Sequence, residues 1–143
     1  MQRLPFMLCG LLLAAAAQAQ QTPVGLWKTV DDETGKEKSL VRIVETGGTL
    51  AGKVEKLLDP SRQDATCEAC SDARKGQPIL GMTILEGAAK HAQEPWWDGG
   101  SILDPNNGKT YKLRLTPKEG GRQLEVRGYL GPFWRNQLWQ RVE

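Results

Sequence analysis

Val24-Gly25-Leu26-Trp27-Lys28 places a glycine and a tryptophan, with one residue between them, on what reads as the first strand of the mature protein. An indole that early is placed to plug one end of whatever the later strands build. The chain closes on Trp139-Gln140-Arg141, and a guanidinium stacked on an indole face gains about 0.5–2 kcal/mol, depending on how dry the site is. If Arg141 meets Trp27, the first and last strands are neighbours. A sheet whose ends meet is a barrel, and a barrel has an inside.

Upstream of that stretch, residues 1–19 read as a signal peptide rather than as part of the fold. Arg3 supplies a positive start, Leu8 to Ala17 is an uncharged run, and Ala17-Gln18-Ala19 is an A-x-A cleavage signature, so cleavage is expected between Ala19 and Gln20. A membrane anchor would need about 20 apolar residues, roughly twice this run. Cys9 lacks the small residues that would precede a lipoprotein cleavage site. The expected location is periplasmic or secreted.

Removing 19 residues from 143 leaves residues 20–143 as a single domain of 124, with 18 basic against 17 acidic side chains once Arg3 is gone. A domain of that size buries about two thirds of its unfolded surface. A net charge of +1 gives no basic field for nucleic acid, and no lysine or arginine run is long enough to grip an anionic membrane. The 16 glycines and 8 prolines are the punctuation of many short strands.

Eight strands can be read after Gln20. They are Val24 to Val30, Ser39 to Glu45, Thr49 to Leu58, Ile79 to Leu85, a segment through Trp97 to Leu103, Lys109 to Leu115, Arg122 to Leu130, and Phe133 to Val142. Tyr111, Leu113 and Leu115 alternate with Lys112 and Arg114, while Leu124 and Val126 alternate with Glu125 and Arg127; each strand therefore has one dry face. Ser61 to Gln77 is a polar loop, and Glu86 to Glu94 reads as one helical turn or a loose loop. The predicted class is all-β: a small, eight-stranded, antiparallel up-and-down barrel, with a sandwich as the rival. A membrane-spanning barrel is disfavoured, because the charged residues would face lipid or fill the lumen.

Cys67-Glu68-Ala69-Cys70 is expected to be a structural disulfide in an exported chain. Thiol exchange is the weaker reading, since Asp64, Glu68 and Asp72 would raise the thiol pKa values and no βα alternation surrounds the pair. Zinc would have two thiols and His91 as its only ligands. His91 is also the only imidazole for a catalytic device and has no nucleophile motif beside it; Asp98 and Asp104 sit in turn sequences that suit backbone capping. No catalytic residue, metal site or cofactor is assigned.

The aromatic inventory remains: Trp27, Trp96, Trp97, Trp134 and Trp139, with Tyr111 and Tyr129. Aromatic walls with a few polar tips line small-molecule pockets, although the same rings could fill a barrel completely. The expected ligand-binding residues are Trp96, Trp97, Tyr111 and Leu113, and Trp27 with Arg141 are expected to stack at a barrel end. The leading reading is an exported carrier of a small, largely apolar, fatty-acid-like molecule. The alternative is a filled barrel acting through protein contacts in the cell envelope, and an enzyme or thiol oxidoreductase comes third.

Gly25-Leu26-Trp27 resembles the G-x-W signature of lipocalins, with Arg141 matching the arginine that packs on that tryptophan. The mature chain more specifically resembles the secreted bacterial family Domain of Unknown Function 2147. The carrying residues are Gly25 to Lys28, Cys67 and Cys70, Trp97 to Pro105, Gly108 to Tyr111, Arg127-Gly128-Tyr129, Trp139 and Arg141. The resemblance implies an exported lipocalin-like barrel and no reaction. The sequence departs from the usual lipocalin in having no readable helix after Leu103.

Overall fold

β1 (Gly25–Val30) hydrogen-bonds to β2 (Glu37–Thr46) along one edge and to β8 (Phe133–Arg141) along the other, which closes the sheet on itself. Trp27 lies opposite Arg141 in that closing ladder, as the two terminal motifs require. Between them run β3 (Thr49–Leu57), β4 (Thr83–Lys90), β5 (Trp97–Leu103), β6 (Thr110–Lys118) and β7 (Gln123–Leu130), each antiparallel to its sequence neighbours. This is an all-β, eight-stranded, up-and-down barrel with no crossover. The computed structural model describes residues 21–143, so the signal peptide read in residues 1–19 lies outside the described residues.

Alternation decides which side chains enter the barrel. Trp27, Val41, Ile43, Leu50, Val54, Leu113, Leu115, Leu124, Val126 and Trp139 are buried, and Lys28, Arg42, Lys53, Lys112, Arg114, Glu125 and Arg127 between them are not. Each fully buried apolar side chain contributes about 1.5–3 kcal/mol relative to exposure, and a slip of one residue would put the charges inside. On β8 the inward residues are Arg135, Gln137, Trp139 and Arg141, which leaves Leu138 facing solvent.

The fourth strand differs from the sequence expectation. It starts at Thr83 rather than Ile79 and runs through the alanine-rich segment read as a loose loop or helical turn. Ile79 instead belongs to a turn in which its N–H reaches Ala65 O and its own carbonyl receives the Met82 N–H. Glu86-Gly87-Ala88-Ala89 becomes a strand because it is held between two ladders, with Ala88 opposite Leu50 and Ala89 opposite Asp98. Ladder partners on both sides outweigh weak intrinsic propensity. Among the described residues, helical structure is limited to single 3₁₀ turns at Pro60–Arg62 and Glu119–Gly121. None of these is a helix long and apolar enough to cross a membrane.

Candidate functional site

The two ends of the barrel are built differently. At the end where the segment leading into β1 meets the close of β8, the Arg141 guanidinium carbon lies 4.3 Å from the centroid of the fully buried Trp27 ring. Arg141 donates from Nε to Gly121 O at 2.6 Å, from one terminal nitrogen to Val24 O at 2.8 Å and from the other to Thr22 O at 2.6 Å. The indole Nε1 donates to Pro23 O at 2.8 Å. Burial pushes the Arg141 pKa below its ordinary value, yet a guanidinium keeps its charge in proteins. Gly25 is required here: its φ is +143°, and a Cβ would overlap the guanidinium and Glu143 O. The end is plugged.

At the opposite end a cavity of about 1130 Å³ opens between the β1–β2 loop, the long β3–β4 connection and the β5–β6 turn. Its wall is apolar: Val54, Ile79, Ile84, Leu103, Val126 and Trp139 all line it and all are buried. Polar groups enter in two places. Deep on the wall, Thr29 Oγ1 and Ser39 Oγ share a buried hydrogen bond of 2.7 Å, which leaves one hydroxyl proton and several lone pairs unspent. At the rim, Trp139 Nε1 donates to Gln137 Oε1 (3.0 Å) and Gln137 Nε2 donates to Asp32 Oδ2 (2.9 Å). Arg135 then bridges Asp32 at 3.1 Å and Asp104 at 3.8 Å. Tyr111 lies beside this strap, over Gly128, which is registered opposite Arg135, and its hydroxyl accepts from Asn107 Nδ2 at 3.0 Å.

The rim is net acidic. Asp31, Asp32, Glu33, Glu37, Asp59, Glu68 and Asp104 line the cavity against Lys36, Lys38, Arg62 and Arg135, seven carboxylates to four cations. The backbone N–H groups of Thr34 and Glu33 hold the Asp31 carboxyl below its usual pKa, and the Ser61 hydroxyl and N–H do the same for Asp59. Both stay ionised at neutral pH.

The β3–β4 connection flanks the opening and is fastened at its centre. Cys67 and Cys70 form a buried disulfide with Cα atoms 5.5 Å apart, and Cys67 Sγ sits 3.6 Å from Pro105 O. Gly108, at φ +72°, packs so closely beneath the Ala69 carbonyl that a Cβ would overlap it. Arg74 ties the far flank down, donating to Thr83 O at 3.1 Å while its guanidinium grips Asp72. That grip draws the Asp72 pKa down to about 2.

Of the four residues expected to bind ligand, Tyr111 lines the cavity. Leu113 is buried on the same face of β6, one step deeper in the core. Trp97 stands opposite Lys90 and Leu115 at the other end of β5, with Lys90 Nζ 5.5 Å from its ring. Trp96 lies on the outer surface with the Arg114 guanidinium 4.0 Å from its ring and Nε1 donating to Asp98 at 3.1 Å. The structure therefore does not bring the four together. Thr29, Ser39, Gln137 and Trp139 are the cavity residues that pattern reading passed over. For Thr29, Ser39 and Gln137 the signal is a polar residue at inward parity on an otherwise apolar face, and Trp139 is an inventoried indole that the aromatic count did not assign to the ligand. His91 Nδ1 accepts the N–H groups of Gln93 and Glu94 at 3.1 Å and caps the β4–β5 loop. Among the described residues no three His, Cys, Asp or Glu side chains are grouped as metal ligands.

The family model described as "Uncharacterized protein conserved in bacteria (DUF2147)" matches residues 25–141. Protein HP1028 from the human pathogen Helicobacter pylori, a member of the lipocalin family, superposes with a TM-score of 0.73 at 20% sequence identity, covering 87% of this chain and 85% of that one. At that identity the likeness is one of fold. No curated protein matches the chain.

Proposed function

Because this chain belongs to the bacterial DUF2147 family and folds as a lipocalin-like barrel, an architecture built for binding and carriage, we propose that it carries a small, largely apolar molecule outside the cytoplasm. The observation that carries this reading is the cavity of about 1130 Å³, apolar along its wall and polar at its single rim. That is the form of a pocket for an apolar body with one polar end. The body would lie against Val54, Ile84, Val126 and Trp139, and the polar end would stay near Tyr111, Asn107 and Gln137. A fatty-acid-like chain fits this division. With carboxylates outnumbering cations at the rim, an uncharged head such as an alcohol or ester is favoured over a free carboxylate. The buried Cys67–Cys70 disulfide is compatible with an oxidising compartment.

Tryptophan fluorescence tests the reading, because Trp139 forms part of the wall. Titration with a long-chain alcohol and with the fatty acid of equal length should give saturating changes, the alcohol binding more tightly at low salt. Ile102→Trp, which puts an indole into the cavity, should abolish both changes while leaving the melting transition in place, and Tyr111→Ala should weaken binding about three- to tenfold. A flat titration with both ligands, on protein stripped of any resident molecule, would overturn the assignment.

A further inference from the structure

We propose that the tip of the β7–β8 hairpin, Leu130 to Arg135, is a docking surface for an anionic lipid bilayer. Three large apolar side chains are displayed within five residues around the Gly131-Pro132 turn: Leu130 is 50% exposed, Phe133 76% and Trp134 60%. None of the three packs into the core: Leu130 and Phe133 continue the inward parity of Val126, Gly128, Arg135 and Gln137 beyond the mouth, and Trp134 lies on the outer face opposite Tyr129. Exposed apolar clusters of this kind mark contact surfaces.

A cationic collar stands directly behind the tip. Arg127 lies 5.6 Å from the Trp134 ring centroid and 5.9 Å from that of Tyr129, and Arg114 lies 5.5 Å from Tyr129 and 4.0 Å from Trp96. Cations and rings thus alternate across the outer face of β6, β7 and β8. Lys112, exposed, is registered opposite Tyr129. Two carboxylates stand within this row, Glu125, 3.7 Å from Arg127, and Asp98, opposite Arg114 and accepting from Trp96 Nε1, against the three cations Lys112, Arg114 and Arg127.

Shape and charge select the occupant. The tip is a convex hairpin apex rather than a groove; β7 is paired along both edges, while β8, joined to β1 only at Gln140 and Arg141, keeps an open edge, so capture of a strand-forming peptide there is an outcome the test must separate. Trp96 and Tyr129 carry guanidinium groups beside their rings, which leaves little face for a stacking ligand. An apex of Leu, Phe and Trp with Lys and Arg one layer behind matches the apolar-below, anionic-above order of a bilayer interface. Arg135 and Gln137 on the same hairpin line the cavity, whose net-acidic rim would face away from the lipid headgroups when the outer face of β6–β8 is seated. The inference itself stands whether or not the cavity takes a ligand.

Cosedimentation of the full mature chain with vesicles tests it. The wild type should bind phosphatidylglycerol–phosphatidylcholine vesicles, at least about tenfold more tightly than phosphatidylcholine alone, and added salt should weaken the binding. The triple variant Leu130→Ser, Phe133→Ser, Trp134→Ser should lose at least about tenfold in vesicle affinity, and Lys112→Glu should lose several-fold on the anionic vesicles alone. Far-UV circular dichroism, the melting transition and ligand titration of the triple variant should match wild type, which separates failure of this proposal from failure of the carrier reading. Undiminished vesicle binding by the triple variant would overturn it. So would a wild type that ignores both vesicle types, whether it then runs as a dimer that the triple variant dissolves, pointing to a second copy, or captures a protein through the tip.

Discussion

The plugged end and the open end of this barrel are made by the same eight strands and differ in where their polar groups are spent. At the plugged end one guanidinium satisfies carbonyl oxygens of Thr22, Val24 and Gly121 and lies on the Trp27 ring. The segment before β1, the close of β8 and the β6–β7 loop are joined there through a single side chain. At the open end the hydroxyls of Thr29 and Ser39 pair only with each other, and the rim charges of Arg135, Asp32 and Asp104 bridge one side of the mouth. A barrel end closes when its polar groups are consumed internally over a large ring, and stays open when they are left for water or a ligand.

Breaking the plugged end should have the largest effect. Trp27→Ala removes a fully buried indole and should cost about 3–5 kcal/mol of global stability in chemical denaturation. Arg141→Lys keeps the charge but loses the fork that reaches the carbonyls of Thr22, Val24, Gly121 and Glu143, and about 2–3 kcal/mol should go with it. Both changes should lower the unfolding midpoint of the whole barrel, because β1 and β8 separate together. If either leaves the midpoint unchanged, the stack does not hold the sheet closed.

Changes at the open end should be smaller and local. Replacing Cys67 and Cys70 together with serine should cost about 2 kcal/mol for so short a loop, with faster amide exchange in residues 58–82 and little change in β1 or β8. The smallest effect is that of acid on the same loop. Asp72 has its pKa depressed to about 2 in the folded chain, so its contribution is complete above the ordinary carboxylate pKa of about 3.9 and is lost as the pH falls toward about 2. Exchange protection around Arg74 and Thr83 should fade over that window. Equal loss of protection at both barrel ends would erase the distinction drawn between them.

Most of this contrast could be read from residue pattern on one side only. The plugged end is legible because it is carried by rare residue types near both termini: a tryptophan beside a glycine and an arginine beside a tryptophan. The strands of the second half are legible for a similar reason, since Tyr111-Lys112-Leu113-Arg114-Leu115 alternates without interruption. The open end is not legible in this way. Ile79 and Ala65, neither on a strand, meet only because a 25-residue connection, 58–82, folds back over the barrel. Counting aromatics pointed to Trp96 and Trp97, whereas the wall is mainly aliphatic and its one indole is Trp139. Aromatic type alone does not report facing: Trp96 is held outside by Arg114, a cross-strand contact that no local pattern contains. β4 was misplaced for the same reason, its alanines being strand residues only through their neighbours.

The most direct test of the carrier reading is native mass spectrometry on the full chain expressed with its N-terminal segment and purified without detergent. An occupied open end predicts a reproducible noncovalent adduct, lost on denaturation and absent from Ile102→Trp, on a chain with its Cys67–Cys70 disulfide intact. A bare mass in every preparation, with no adduct regained on incubation with long-chain alcohols or fatty acids, would contradict it.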